Sequence, residues 1–209
     1  MQVPARCCDD QIVSEAVCGG CALPHTATRI ILLSACILGL VFLLEKTGML
    51  TEIRRAIQSD HEAICFLAEE INVQHHSHSA HVFAPPPGIE RDAGFWRRAI
   101  DDSEGMLLLS VVDHRVVGLL RARIMQPSET PFLRMRQVCH IGTVVVTASM
   151  RGNGIGKQLL GAIEQWAKVM AAEEIRLEVF SANREAIGFY DAAGFGLQSR
   201  IMTKALLPL

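Results

Sequence analysis

Strands and helices are interleaved along this chain in a way that predicts an α/β domain, with one sheet flanked by helices. Three observations support that fold class. Short apolar and β-branched stretches such as Val138 to Val146 alternate with longer stretches of helical spacing, such as Leu159, Leu160, Ile163, Trp166 and Ala167. A glycine-rich turn, Arg151-Gly152-Asn153-Gly154-Ile155-Gly156, sits directly between those two segments. The length of 209 residues, half of them apolar and without a visible repeat, suits one domain with a sizeable core.

Taken in order, residues 1–28 have no regular pattern and carry Cys7, Cys8, Cys18 and Cys21, and residues 30–44 form an apolar run that ends at Glu45-Lys46. That run is short of the roughly 20 apolar residues a membrane span needs. It is also a poor secretory signal, because Asp9, Asp10 and Glu15 precede it and no small-x-small cleavage site stands before Glu45. A helix lying on a membrane or a partner stays open for it. Cys18-Gly19-Gly20-Cys21 has Cys-x-x-Cys spacing but no evident second ligand pair, so no metal is expected.

From Thr51 to Ile57 the pattern is a strand, and Ser59-Asp60 caps a helix with apolar positions Ile64, Leu67, Ala68 and Ile71. The polar stretch Gln74 to His81 reads as a loop. If it were helical, His75, His78 and His81 would recur every three residues on one face. Pro85-Pro86-Pro87-Gly88 stops regular structure, and Arg91 to Ile100 is a second helix containing Phe95 and Trp96. Met106 to Val112 and Val116 to Met125 form a hairpin about Asp113-His114. After a loop at 127–131 come the strand Val138 to Val146, the glycine turn and its helix. A strand from Ile175 to Phe180 follows, then a break at Ser181-Ala182-Asn183, a short helix from Arg184 to Ala193 and a last strand reaching about Ala205. The predicted order is β-α-α-β-β-β-α-β-α-β.

The glycine turn is the first sign of chemistry. Glycines allow close backbone approach to a ligand, and the free N–H groups at a helix start favour an anion there. Arg151 adds a positive charge. The turn is no Walker loop, since Gly156-Lys157 is followed by Gln158 and no hydroxyl is placed for magnesium, and its Gly-x-Gly-x-Gly spacing is not that of a dinucleotide fingerprint. A phosphate cradle and a plain chain reversal both remain open for the turn taken alone.

Bulk properties exclude little. A formal net charge of -2 gives no electrostatic reason to expect nucleic acid or an anionic membrane. Beyond the N-terminal region only Cys65 and Cys139 remain, with no pairing framework, a pattern that suits a reducing cytoplasm.

Val144-Val145-Val146, then Arg151 to Leu160, then Asn183-Arg184-Glu185-Ala186-Ile187-Gly188-Phe189-Tyr190 with Ala193-Gly194-Phe195, together resemble the GNAT superfamily of N-acetyltransferases in order and spacing. The resemblance is strongest over 138–195 and extends more weakly from about residue 50 to the C-terminus. It implies a mixed, mostly antiparallel sheet flanked by helices and splayed between the strands that hold acetyl-CoA. It also implies a domain over 49–209 that opens at Met49, with 1–48 as a dispensable or upstream-start extension.

The implied activity is direct transfer of an acetyl group from acetyl-CoA to an amine. Backbone groups of Val144, Val145 and Val146 would pair with the pantetheine arm, and Arg151, Gly152, Asn153, Gly154, Ile155 and Gly156 would hold the pyrophosphate. Asn183 would orient the arm unless it only caps its helix. Tyr190 would protonate the leaving thiolate, since a phenol with pKa about 10 is protonated at neutral pH, unless it only packs with Phe189 and Phe195. Many relatives place an acid at the position of Gly142. In its absence His140, two residues earlier, and Glu178 on the facing strand are the candidate bases, each also readable as an ordinary strand residue. The Gln74 to His81 stretch would border the acceptor, and Phe83, Phe95 and Trp96 would form either its apolar wall or core. A homodimer is also implied. A non-catalytic acyl-CoA-binding module of the same fold is the alternative that Gly142 keeps open.

Overall fold

The computed structural model describes residues 42–46, 49–86, 88–126, 131–132, 134–204 and 206. The cysteine-bearing segment 1–28, residues 30–41 of the apolar run and loop residues 127–130 lie outside the described residues.

The sheet begins with β1 (Phe42–Lys46) and β2 (Met49–Arg55), paired antiparallel with Phe42 opposite Ile53 and Lys46 opposite Met49. It therefore takes in residues upstream of the Met49 boundary expected from sequence. A short 3-10 turn, Gln58–Asp60, leads into α1 (His61–His78), and α2 (Ile89–Ile100) follows. The chain continues through β3 (Gly105–Val112), β4 (Arg115–Met125), β5 (Val138–Val146), α3 (Ile155–Val169), β6 (Glu174–Leu177) and α4 (Arg184–Ala192). The strands lie in sequence order across one sheet, antiparallel throughout except that β5 and β6 run parallel. The β3–β4 hairpin turns at Asp113 and His114, whose φ values of 47° and 62° are those a two-residue turn requires to match strand twist.

Alternation along the strands divides the core between two faces. Leu108, Leu120, Ala122, Cys139 and Ile141 face α3, where Ile155, Leu159, Leu160 and Ile163 complete one cluster. Leu107, Leu109, Leu119 and Val145 face the opposite way and bury Ile64, Leu67 and Ala68 of α1 with Trp96, Ala99 and Ile100 of α2. Trp96 is thus core, whereas Phe95 beside it is 43% exposed.

Three sequence expectations change. The helix α1 runs through His78, so Gln74 to His78 is its last part and not a loop, while His81 lies beyond it. The strand β6 ends at Leu177, three residues before the expected Phe180. No regular element forms over 195–204. That last segment has no buried face to join: no residue of β6 is fully buried, and Leu197, Ile201 and Met202 are exposed.

One irregularity positions the site. Pairing between β4 and β5 passes from Arg121 opposite Thr143 to Ala122 opposite Ile141, leaving Gly142 as the extra residue of a bulge.

Candidate functional site

Strands β5 and β6 pair only from Val138–Glu174 to Ile141–Leu177. Immediately beyond, at the Gly142 bulge, they part. The gap between Val144–Val146 and Glu178–Phe180 is a cleft of about 700 Å³, within the size range of small-molecule sites. The last turns of α1 close one side through Ile71, Gln74, His75 and His78, and the glycine turn and α4 close the other. Of the site residues expected from sequence, His140, Val144, Val145, Val146, Arg151, Gly152, Gly154, Ile155, Gly156, Glu178, Asn183 and Tyr190 all line it; Asn153 does not.

The glycines of the turn have different jobs. Gly152 and Gly154 both hold φ +79°, where an L side chain would be strained. Gly156 has an ordinary φ, but a Cβ there would stand 3.0 Å from the ring of Phe189, so its bare backbone lets α4 seat on the first turn of α3. The first backbone bond of α3 runs from the Gln158 N–H to the Gly154 carbonyl at 3.0 Å. The N–H groups of Ile155, Gly156 and Lys157 precede that ladder at a cleft-lining helix start, the arrangement that attracts an anion.

Arg151 is braced across the cleft mouth. Its Nε donates to the Val146 carbonyl at 3.0 Å and its Nη2 to Gln74 of α1 at 3.1 Å, while Nη1 lies 3.9 Å from Glu185 of α4. Asn153 turns inward to its own loop, donating to the Met150 and Arg151 carbonyls, which explains why it does not reach the cleft. Asn183 caps α4, its Oδ1 accepting the Ala186 N–H at 3.1 Å. This is the helix-cap role, and the residue still lines the cleft.

Tyr190 packs between Phe189 and Phe195, with ring centroids at 5.2 and 5.7 Å. Burial raises its phenol above the ordinary pKa, so the group is held protonated. His140 stands between Arg123 of β4 and Arg176 of β6, and Glu178 is the first residue past β6, exposed at the rim.

The other end of the cleft is aromatic. His75 stacks on Phe83 at 4.6 Å, and Phe83 meets Phe180 edge-on at 4.8 Å. Burial, and secondarily His78, lowers the pKa of His75. Sequence reasoning missed Phe180 as a site residue because it was counted into β6; its only local signal was an aromatic side chain at the strand's end. Cys65 and Cys139 are free, buried and outside the cleft lining, with burial pushing the Cys139 thiol up to about 11. Among the described residues no three His, Cys, Asp or Glu side chains gather into a metal-holding group, and no helix is long and apolar enough to cross a membrane.

The model of the acetyltransferase (GNAT) family matches residues 53–195. This chain is a member of the GNAT acetyltransferase family. Solved structures of similar fold include a mutant of the BH1408 protein from Bacillus halodurans, with a TM-score of 0.70 at 23% identity, covering 74% of this chain and 99% of that one. The aminoglycoside N-acetyltransferase AAC(6')-Iy in complex with CoA has a TM-score of 0.62 at 17% identity, covering 78% of this GNAT chain and 98% of its own. An aminoglycoside acetyltransferase from an uncultured soil metagenomic sample, in complex with sisomicin, has a TM-score of 0.53 at 14% identity, with 76% and 97% covered. At such identities the likeness is one of fold. No curated protein matches the chain. GNAT membership makes acyl transfer the general chemistry of this domain, on a mixed sheet flanked by helices.

Proposed function

We propose that this GNAT protein transfers the acetyl group of acetyl-CoA directly to an amine acceptor. The observation that carries the reading is the splay of β5 and β6 beside a helix start whose preceding glycines hold positive φ. An edge of β5 free of β6 offers unpaired main-chain groups to the amide-bearing pantetheine arm, and the N-terminus of α3 offers N–H groups to a pyrophosphate. In this reading Val144, Val145 and Val146 take the arm and Gly152, Gly154, Ile155 and Gly156 the phosphates. Asn183 uses the part of its amide not spent on the cap. Arg151 closes the mouth between α1 and α4.

The amine must be neutral to attack the thioester, and the departing thiolate benefits from a proton. Tyr190 supplies that proton from a partly buried phenol that stays protonated at neutral pH. Among the titratable groups that line the cleft, His140 and Glu178 are the candidates to accept the ammonium proton, directly or through water. An acidic limb retained in the pH profile of His140→Ala would eliminate the histidine.

The family resemblance supports a homodimer, and exposed Leu197, Ile201 and Met202 supply apolar surface for one; light scattering at several concentrations measures it. A cytoplasmic location rests on the free, buried Cys65 and Cys139. Membrane contact through residues 30–44 is the competing location, and cell fractionation with and without them separates the two.

Turnover of acetyl-CoA across chemically diverse amines, with product mass measured, tests the activity. Tight acetyl-CoA binding without transfer to any amine would replace it with the non-catalytic reading that Gly142 favours.

A further inference from the structure

The bulge at Gly142 lies against a charge that none of the roles above uses, the guanidinium of Arg121, which adjoins the cleft through Gly142 and is not itself part of its lining. A Cβ placed on Gly142 would lie 3.5 Å from Nη1 of Arg121, and Gly142 itself lines the cleft. The guanidinium of β4 therefore borders the space left where a carboxylate side chain would otherwise project. Its other neighbour is the ring of Phe95 on α2, with the guanidinium carbon 4.9 Å from the centroid.

Arg121 has no carboxylate partner among the described residues. The acid whose charge acts on it is already committed: Asp102 pairs with Arg123, two residues along β4, at 2.9 Å. Burial, and then Arg123, lowers the Arg121 pKa, with Asp102 opposing, but a guanidinium remains charged in any case. A half-buried cation without a counter-ion is costly, and an anion arriving at its planar fork is held by charge-assisted hydrogen bonds.

The rest of the acceptor end has matching chemistry. His75, His78, Phe83, His140 and Phe180 line it, and of the two carboxylates in the cleft lining, Glu178 and Glu185, the second lies beside Arg151. A polycationic acceptor would call for several acids, and apart from the Glu185 set against Arg151 the cleft lining presents Glu178 alone, beside an arginine with no ion-pair partner among the described residues. The packed His75, Phe83 and Phe180 rings form an apolar wall for the body of a small molecule.

Resting on the acetyl-transfer reading above, we propose that the acceptor is a free amino acid with an apolar or aromatic side chain, its carboxylate held by Arg121 beside the Gly142 bulge. Arg121 is then a specificity-determining binding residue. The aromatic wall takes the side chain, and Glu178 stands at the rim as the acidic group for the amine.

The experiment compares free amino acids, each paired with its own carboxamide, and includes spermidine and an aminoglycoside, following CoA release and product mass with the full chain. The amide amine is the less basic, so intrinsic reactivity at neutral pH favours the amide, and a preference for the acid reports binding. The kcat/KM for phenylalanine or leucine is expected to exceed that of the amide by about tenfold or more. Arg121→Met is expected to bring the ratio close to one and Arg121→Lys to keep part of it. Each ratio is taken within one protein sample, so a loss of folded protein cancels.

Transfer that is intact but as fast to the amide as to the acid, or fastest to a polycation, overturns the proposal. So does an acid-to-amide ratio unchanged in Arg121→Met. Absence of transfer to every amine, with acetyl-CoA still bound, instead removes the catalytic reading, and this proposal falls with it.

Discussion

At the scale of single residues, burial decides which groups can react. Tyr190 is kept protonated by desolvation, so the proton it would donate is present below its raised pKa and lost only above it. Tyr190→Phe is expected to lower kcat about a hundredfold while the KM for acetyl-CoA holds. The alkaline limb of the wild-type kcat profile should lie above about pH 10 and vanish in the variant. Steady-state kinetics from pH 6 to about 11 read both effects, and an unchanged kcat would leave Tyr190 as a packing residue. Cys139 lies at the opposite limit. With its thiol pushed up to about 11 and its side chain sealed in the α3 face of the sheet, it should resist alkylation in the native protein at pH 8 and react only after unfolding. Mass spectrometry after iodoacetamide treatment, native against denatured, checks this. The places of Tyr190, Asn183 and the glycines in the cleft lining were legible in sequence because one family motif carries them together. Phe180 and Arg121 were not, because each acquires its place only from residues far away in the chain, Phe83 on one side and the Gly142 bulge on the other.

At the scale of elements, two junctions control how the cleft walls are set. The ring of Phe189 rests where a Gly156 side chain would be, so Gly156→Ala must displace either α4 or the first turn of α3 by a few tenths of an ångström. The expected outcome is a weaker acetyl-CoA complex, about fivefold or more in Kd, with a smaller effect on thermal stability, read by calorimetry and thermal unfolding. At the other junction Arg54 of β2 donates to both oxygens of Asp60 at 2.7 Å, and the Ile57 N–H adds a bond of 2.9 Å. The sequence predicts Asp60 as a cap for α1; its carboxylate instead ties the strand to the helix entrance and makes no side-chain cap bond to α1. The Arg54 hydrogen bonds hold its pKa down. A depressed carboxylate contributes stability above its unfolded value and loses it as pH falls through its folded value. Asp60→Asn should therefore cost about 2 kcal/mol at pH 7, with the difference from wild type shrinking below about pH 4. Denaturant unfolding at pH 7 and pH 3 measures it. A gap that persisted in acid would assign the loss to packing.

At the scale of the whole molecule, the order of elements along the chain was largely readable from periodicity, and apolar residues of both parities in β3 and β4 fit a sheet covered on both faces. Strand ends were less readable, since alternation says nothing about whether a partner strand is present. The segment 195–204 has strand-like residues but no element forms over it, and β6 stops where β5 bends away. The same limit governs the other edge, where residues before Met49 looked separable from the domain. Backbone pairing of Phe42–Lys46 with Met49–Ile53 makes β1 the edge strand, and the described members of the two core clusters begin at Ile53. A chain beginning at Met49 keeps both clusters and the β2–β3 ladder, so it is expected to fold and bind acetyl-CoA. It also leaves the outer edge of β2 unpaired, a surface prone to edge-to-edge association. Its melting temperature should fall by about 2–4 °C and its self-association should rise with concentration, whereas a chain beginning at Leu40 retains β1 and should match the full chain in both. Thermal unfolding and light scattering on the three lengths decide the boundary. If the Met49 chain matched the other two in both, β1 would be dispensable; if it failed to fold, the domain would extend upstream of Met49.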